Sequence, residues 1–291
     1  MNLEEARKHF IKYLEDLERA PSTLIAYSKD IEQLIDFMQK KGISEVEGVS
    51  LEGLEAFMAR FSEKGYTNKS ISRKTNSTKT FFGFLIEQGF VKEDVSEYLK
   101  HPEVKVTPPR ILSRLEYRAL RDVARNDPRT YALIEIFLQT GLSIAEIAGI
   151  QMDHLKMYQV PAKSDLYIPA RGSKDERNVP LNEVAVSSIE SYVESARGSK
   201  ESPYLFTTRT GNPMLVRNIR STLNRYFKKA GVENATVNDL RHTFIAEQLK
   251  SGVNLAYVSK VVGHKRVSTT ERYLEYSGVE KSGQKTELVV L

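Results

Sequence analysis

Apolar residues recur every three to four positions along the first hundred residues, with polar residues between them. In the segment LEEARKHFIKYLEDLERA, for example, Phe10, Leu14 and Leu17 fall on one helical face. Three further segments repeat this period, and each of them ends at a glycine, the residue that most readily closes a helix. The pattern therefore predicts an all-helical first part over residues 3–98.

The segment HPEVKVTPPR, residues 101–110, interrupts the periodicity. It has three prolines, and its Pro108-Pro109 pair favours extended backbone and disfavours a helix immediately before it. We interpret this segment as a linker. It would separate a helical domain over residues 1–100 from a second domain over residues 111–276.

The second part alternates between the helical period and a short period of two. Ser113 and Glu116 have the spacing of a capping box that begins a helix, and the apolar segment YALIEIFLQTG predicts another helix that ends at Gly141. The segment SDLYIPARGSKDERNVPL alternates around a central Gly-Ser and predicts a hairpin. Five helical segments follow, and the tail QKTELVVL predicts a terminal strand. The expected fold is mainly α with a small antiparallel β-sheet.

Composition narrows the functional classes. The 291 residues include no cysteine, so disulfides and thiolate metal sites are excluded, which suits a reducing cytoplasm. The N-terminus lacks the apolar segment of a signal peptide, and the longest apolar runs are too short to span a bilayer. A formal net charge of +5 favours a polyanionic partner, although a lysine-rich surface would give the same total.

Two predicted helices carry clustered positive charge. Residues 66–86 have one acid-free helical stretch in which basic and hydroxyl side chains alternate, as suits contact with phosphates. A second basic cluster lies near residues 217–229. A solvated basic face is the alternative to DNA contact at both places. The expected DNA-binding residues are Lys69, Arg73, Lys74, Lys79, Arg217, Arg220 and Arg225.

Three residues near the C-terminus could act on one phosphodiester. Arg241 can fork two hydrogen bonds onto phosphate oxygens, and His264 follows a glycine at a predicted helix end, where it could donate to the same phosphate. Tyr273, nine residues after His264, offers a phenol that can attack phosphorus and form a covalent intermediate. Each residue alone has an ordinary structural explanation, and only their ordered context is specific.

That context resembles the tyrosine recombinase, or phage integrase, family. The motifs are LRHTF, then VVGHKRVSTTERY, with LQTGLSIAEIAGI, ARGSKDERNVPL and YLFTTRTGNPM upstream. The resemblance implies a helical SAM-like core-binding domain, a catalytic domain with the DNA breaking-rejoining enzyme fold, and cleavage through a 3′-phosphotyrosine at Tyr273. It also implies double-stranded DNA as partner, a tetramer on two DNA sites, no metal and no cofactor. Such a protein would act in the cytoplasm, at the nucleoid.

Three positions depart from the family pattern. Ser143 lies where the first phosphate-binding arginine is expected, Asn238 where a histidine is expected, and Arg171 where the hairpin lysine is expected, although Lys174 is close by. Ser143 cannot neutralise a phosphate, and Asn238 cannot transfer protons. One hypothesis is that Arg171 replaces the missing charge and leaves Lys174 as the acid.

Two functions are therefore compatible with the sequence. The first is a site-specific DNA recombinase or integrase. The alternative is a catalytically impaired homologue that binds DNA as a structural or regulatory partner, which Ser143 and Asn238 would favour. We expect His242 and Glu146 to support the site, and Tyr276 is a weaker rival nucleophile. The tail over residues 277–291 could add a strand to its own sheet or pack onto a neighbouring protomer.

Overall fold

The computed structural model describes residues 1–105, 107–157, 164–171, 174–197, 201–279 and 282–291. The chain divides into two compact units, residues 1–107 and 108–291, each with its own apolar core. Within the described ranges, no helix combines the length and the apolar character needed to cross a membrane. The mainly helical fold with a small antiparallel sheet is confirmed.

The described residues of the first unit form four α-helices. Asparagine, serine or threonine side chains cap three of them by accepting a backbone N–H of the first turn, which satisfies donors that the helix itself cannot pair. Proline at the first position starts the remaining helix. The helices are α1 (Leu3–Asp16), α2 (Pro21–Gln39), α3 (Leu51–Glu63) and α4 (Asn68–Glu87).

A buried ion cluster lies within this unit. The carboxylate of Asp30 on α2 is 1% exposed and accepts from the ammonium of Lys74, at 2.8 Å, and from the hydroxyl of Ser77, at 2.7 Å. Arg73 also pairs with this carboxylate. The ammonium of Lys74 is itself buried and lies 4.5 Å from the centre of the Phe61 ring. Lys74 therefore ties α4 to α2 and has no free charge for DNA.

The second unit contains eight helices and one sheet among its described residues. The central helix α6 is buried over nearly its entire length, including the polar side chains of Glu135 and Gln139, and packs against α8 and α10. The helices are α5 (Arg114–Ala124), α6 (Pro128–Thr140), α7 (Ile144–Ala148), α8 (Glu183–Ser195), α9 (Val216–Lys229), α10 (Val237–Lys250), α11 (Leu255–Val262) and α12 (Val267–Ser277).

The sheet has three antiparallel strands in sequence order, β1 (Leu155–Lys156), β2 (Asp165–Ile168) and β3 (Arg177–Pro180). Leu166 pairs with Val179, and both side chains are buried on the face that joins the core. The alternation of exposed and buried residues along β2 and β3 is the period of two that the sequence shows. The sheet places β3 against α11.

The C-terminal tail lies against its own unit in this structure. Residues 282–291 contain one isolated parallel bridge, between Lys285 and Val253, instead of the predicted strand. The side-chain amide of Gln248 both donates to and accepts from the backbone of Val289, at 2.6 and 2.8 Å, and Gln139 pairs in the same way with Leu291. Glutamine side chains thus take the place of a neighbouring strand.

Candidate active site

The site begins where α6 ends. Gly141 closes α6 with a left-handed backbone, φ 62°, and a Cβ at this position would lie 2.2 Å from the ring of Phe244. Only glycine suits both conditions. Two residues later Ser143 begins α7 as its N-cap, with Glu146 completing a capping box. The position where the family places an arginine is therefore a helix cap in this chain.

Glu146 organises the positive charges of the site. Its buried carboxylate accepts from the Ser143 hydroxyl at 2.7 Å, from Lys174 at 3.2 Å and from Arg177 at 3.1 Å. A guanidinium nitrogen of Arg241 is 3.9 Å away. Burial alone would raise the pKa of Glu146, but the charge of Arg177 and the hydrogen bonds from Ser143 outweigh it and lower the pKa to about 2. One carboxylate thus faces three cations, an excess of positive charge.

Arg241 is anchored by backbone carbonyls from two helix ends. It donates to Gly141 at 2.6 Å and to Val262, in the last turn of α11, at 2.8 Å. Arg177 donates to the adjacent Val261 carbonyl at 2.7 Å. Both guanidinium groups therefore satisfy carbonyls at the negative end of α11. Burial lowers the pKa of Arg241, yet the group stays protonated because its ordinary pKa is so high.

His264 follows the C-terminal end of α11, directly after Gly263. Gly263 ends the helix with φ 69°, and a Cβ there would lie 2.7 Å from the Arg177 guanidinium, so a larger residue would displace Arg177. The imidazole Nδ1 of His264 lies 2.7 Å from the Thr270 hydroxyl. Burial, with the charges of Arg241 and Lys174, lowers the pKa of His264 to about 4. The ring is therefore neutral at pH 7.

Tyr273 lies on α12, which packs against α10 and α11. Its ring is 7% exposed, and its centre is 6.4 Å from that of His264 in a stacked arrangement. Its hydroxyl lies 2.6 Å from Nδ1 of His242. Burial raises the pKa of Tyr273, and the charge of Arg241 opposes that rise. The phenol is therefore protonated at pH 7 and is held close to a positive pocket.

The structure brings most of the residues predicted as catalytic into this one region. Ser143, Lys174 and Arg241 lie around Glu146. Tyr273 stacks on His264, and the charge of Arg241 acts on both. Arg171 is exposed and donates to the carbonyl of Ala145, at 3.0 Å, rather than to the phosphate-binding groups. Asn238 is exposed in the first turn of α10. Among the described residues, no cluster of three or more His, Cys, Asp or Glu could hold a metal ion.

Two contacts were beyond the reach of the sequence. Arg177 was not singled out there, because it looks like an ordinary strand residue until Glu146 and Val261 are seen on either side of it. His242 was expected only to support the site, yet it contacts the hydroxyl of the expected nucleophile. The adjacency of His242 to Arg241 was the available signal, but its partner is 31 residues away along the chain.

The remaining predicted contacts form two surfaces. Lys69, Arg73 and Lys79 lie on the outer side of α4, and the ammonium of Lys79 donates to the carbonyl of Glu97 at 2.9 Å. Lys74 differs, because it is buried in the ion cluster. The three arginines at positions 217, 220 and 225 are exposed on α9.

The fold agrees with the comparisons. The family model described as the phage integrase family matches residues 110–278, and the phage integrase N-terminal SAM-like domain matches residues 8–89. The first match alone covers more than half of the chain. The chain therefore belongs to the phage integrase family.

Individual proteins give the same result. The tyrosine recombinase XerC of Listeria welshimeri is 28% identical over 279 residues, which cover 91% of this chain and 91% of that protein. A structure of the Tn1549 transposon integrase with transposon right end DNA has a TM-score of 0.76 at 18% identity and covers 94% of both chains. A lambda integrase tetramer bound to a Holliday junction has a TM-score of 0.73 at 14% identity, covering 92% of this chain and 79% of that one. The two structures show the shared fold.

Proposed function

We propose that this protein is a site-specific DNA recombinase that cuts and rejoins DNA through a 3′-phosphotyrosine at Tyr273. The observation that carries the proposal is the cluster in which the buried ring of Tyr273 stacks on His264, with the charge of Arg241 acting on both groups and that of Lys174 on His264. Family membership supports the same reaction. Such a reaction exchanges one phosphoester for another, so it needs positioning and charge neutralisation more than a cofactor.

Each residue of the site has a role in this reaction that follows from its chemistry. Arg241 would hold two phosphate oxygens, because its fork geometry matches them and its charge survives burial. His264 is neutral and would donate one hydrogen bond to the phosphate. Lys174 would protonate the leaving 5′-oxygen, since an ammonium can release a proton that a guanidinium retains. Glu146 would hold Lys174 and Arg177 in place, because its carboxylate is ionised throughout the physiological pH range.

The alternative, an impaired homologue that only binds DNA, depends on Ser143 and Asn238. A denaturing gel separates the two functions. A nicked duplex carrying the recognition site loses a short fragment after cleavage, so the covalent complex accumulates. We expect the wild-type protein to form this complex. Tight binding of the duplex without any covalent complex would favour the impaired homologue instead. The site itself can be found by sequencing DNA that is recovered with the protein.

Replacing Ser143 with arginine should raise the cleavage rate. The cations near the pocket already have protein partners: Arg171 donates to Ala145, Lys174 to Glu146, and Arg177 to Val261 and Glu146. A second phosphate-binding arginine should therefore increase single-turnover cleavage by roughly 10- to 1,000-fold, the range for one transition-state donor. Loss of the helix cap should cost about 1 kcal/mol of stability. Thermal unfolding measures that cost separately, and Ser143→Ala supplies the matched loss of the cap alone.

An unchanged rate in Ser143→Arg, with the fold intact, would mean that the charge is already supplied. Arg171 is the residue that the sequence nominates for this role. If Arg171 is the source, Arg171→Ala alone should lose cleavage, and the double variant Ser143→Arg with Arg171→Ala should regain it. Equal cleavage by Arg171→Ala and the wild-type protein would exclude compensation by Arg171.

We propose that the outer faces of α4 and α9 contact DNA phosphates. The α4 face combines Lys69, Arg73 and Lys79 on a helix whose outward side has no acid between residues 66 and 86. Each phosphate contact releases counterions, so removing the three charges should reduce the slope of log affinity against log salt by up to about 0.9 per contact. Affinity should fall for all sequences alike.

The matched control for the α4 face is the removal of three exposed charges from the region of α1. Alanine at Lys8, Lys12 and Arg19 changes the net charge equally. A salt slope measured by fluorescence anisotropy that falls equally in both triple variants would contradict a specific contact at α4. Lys74 is left out of the variant because its ammonium is buried. Removing Arg73 also takes one partner from the buried carboxylate of Asp30, so thermal unfolding of the triple variant measures that cost separately.

We also propose that the protein acts as a homo-oligomer, a tetramer on two DNA sites, in the cytoplasm at the nucleoid. The tail supports this assembly. Gln139 and Gln248 bind the backbone of the tail rather than its side chains. The same two glutamine side chains would therefore accept the tail of a second copy of the protein. Exchange in one direction around a ring would link successive protomers.

A further inference from the structure

A buried phenol does not ionise unaided, so Tyr273 needs a nearby group that accepts its proton. Burial raises the pKa of Tyr273, so some group must take the phenolic proton as the oxygen attacks phosphorus. The position where the family pattern has a histidine is Asn238, whose amide cannot accept a proton at neutral pH. Asn238 is also exposed in the first turn of α10. The proton acceptor must therefore be sought elsewhere.

Among the described residues, His242 has the only ring nitrogen within hydrogen-bond distance of the Tyr273 hydroxyl, at 2.6 Å from Nδ1. The two ring centres are 5.8 Å apart and tilted by 34°, so the contact is made edge-on through the nitrogen. Nδ1 of His264 is already 2.7 Å from the Thr270 hydroxyl. Lys174 is paired with Glu146. Neither of these two groups competes for the phenolic proton.

The charges around His242 leave it able to accept. Burial lowers the pKa of His242; on its own helix the carboxylate of Asp239 raises it and the guanidinium of Arg241 lowers it further. From the facing elements come Tyr273 on α12 and His264 beyond α11, both neutral at pH 7. The net direction is down, so the imidazole is neutral. With its proton on Nε2, the lone pair of Nδ1 faces the hydroxyl.

We propose that His242 is a catalytic base for Tyr273, taking the role that Asn238 cannot perform. In cleavage the Tyr273 O–H bond breaks and its proton passes to Nδ1 of His242. The oxygen forms a bond to phosphorus, and the bond from phosphorus to the 5′-oxygen breaks, with Lys174 supplying the proton to that oxygen. In rejoining, the attacking 5′-hydroxyl returns its proton to Lys174 and the imidazolium returns its own to the leaving Tyr273 oxygen. This inference rests on the proposed function.

A duplex with sulfur in place of the bridging 5′-oxygen isolates this step. A thiolate leaves without protonation, so the acid no longer limits the rate and the pH dependence reports the base. Single-turnover cleavage by the wild-type protein should fall at low pH as His242 becomes protonated. The variant His242→Gln keeps a hydrogen-bond acceptor but cannot take a proton. It should cleave roughly 10²- to 10⁴-fold more slowly at pH 7 and lose the acidic limb.

Several results would overturn the inference. A His242→Gln variant that keeps the acidic limb and stays within a few-fold of the wild-type rate would show that His242 only positions the tyrosine. A wild-type protein that cleaves neither duplex would contradict the proposed function itself, and with it the role of His242. DNA affinity and thermal unfolding verify that the variant is folded, and His154→Gln is a control on a histidine that packs against Tyr167, in the sheet.

A measurement on the intact, unliganded protein is independent of cleavage. The nitrogen chemical shifts of His242 report which ring nitrogen carries the proton. We expect the shift of an unprotonated, hydrogen-bonded Nδ1 at pH 7, and a change at that nitrogen in Tyr273→Phe. A protonated Nδ1 or a fully charged ring at pH 7 would contradict the base, even if the glutamine variant fails to fold.

Discussion

Replacing Tyr273 with phenylalanine is expected to abolish the covalent protein–DNA complex while leaving DNA affinity nearly unchanged. The substitution removes only the attacking oxygen, since the ring can keep its stacking on His264. Loss of a nucleophile generally lowers the rate by roughly 10⁴-fold or more. The measurement is single-turnover cleavage of the nicked duplex, with affinity measured in parallel by anisotropy.

The matched control is Tyr276→Phe. Tyr276 lies one helical turn from Tyr273, with their ring centres 6.0 Å apart, so both variants lose one hydroxyl from the same helix. Tyr276→Phe should cleave at close to the wild-type rate. A large loss in this variant with normal cleavage by Tyr273→Phe would assign the nucleophile to position 276.

Replacing Arg241 with alanine is the second change with a large expected effect. The guanidinium would bind two phosphate oxygens and also satisfies the carbonyls of Gly141 and Val262. We expect single-turnover cleavage to fall by at least roughly 10²- to 10³-fold, because Ser143 leaves the pocket without a second phosphate-binding arginine. Arg241→Lys should recover only part of this loss, since an ammonium keeps the charge but cannot form the bidentate contact.

A control for Arg241 removes one positive charge elsewhere. Arg118 is exposed on α5, and Arg118→Ala should leave cleavage unchanged. Thermal unfolding separates the structural cost at Arg241, where two buried carbonyls lose their donor. Cleavage by a folded Arg241→Ala variant at the wild-type rate would remove Arg241 from the proposed mechanism.

The sequence was most informative where function depends on residue type and order. The order of Arg241, His264 and Tyr273 pointed to phosphodiester chemistry before any contact was known, and the family resemblance nominated Lys174 in the hairpin as a candidate acid. The structure adds the physical reason for their proximity. Carbonyls at the ends of α6 and α11 fix Arg241, and His264 follows directly from the end of α11.

Contacts between distant residues could not be predicted in this way. Lys74 reads as one more cation in a basic stretch, and its burial depends on Asp30, 44 residues earlier. The contact of His242 with Tyr273 likewise depends on how α10 packs against α12. The role of Ser143 could be predicted in part. In the sequence it stands out as the position of a missing arginine, but its spacing to Glu146 is also that of a capping box, which the structure contains.

The most direct test of the central claim is to identify the residue that carries DNA in the trapped complex. Digestion of the wild-type complex with a protease, followed by mass spectrometry, should yield one modified peptide. We predict a nucleotide joined through its 3′-phosphate to the oxygen of Tyr273. Attachment at another residue, attachment through a 5′-phosphate, or tight binding of the nicked site without any attachment would contradict this mechanism.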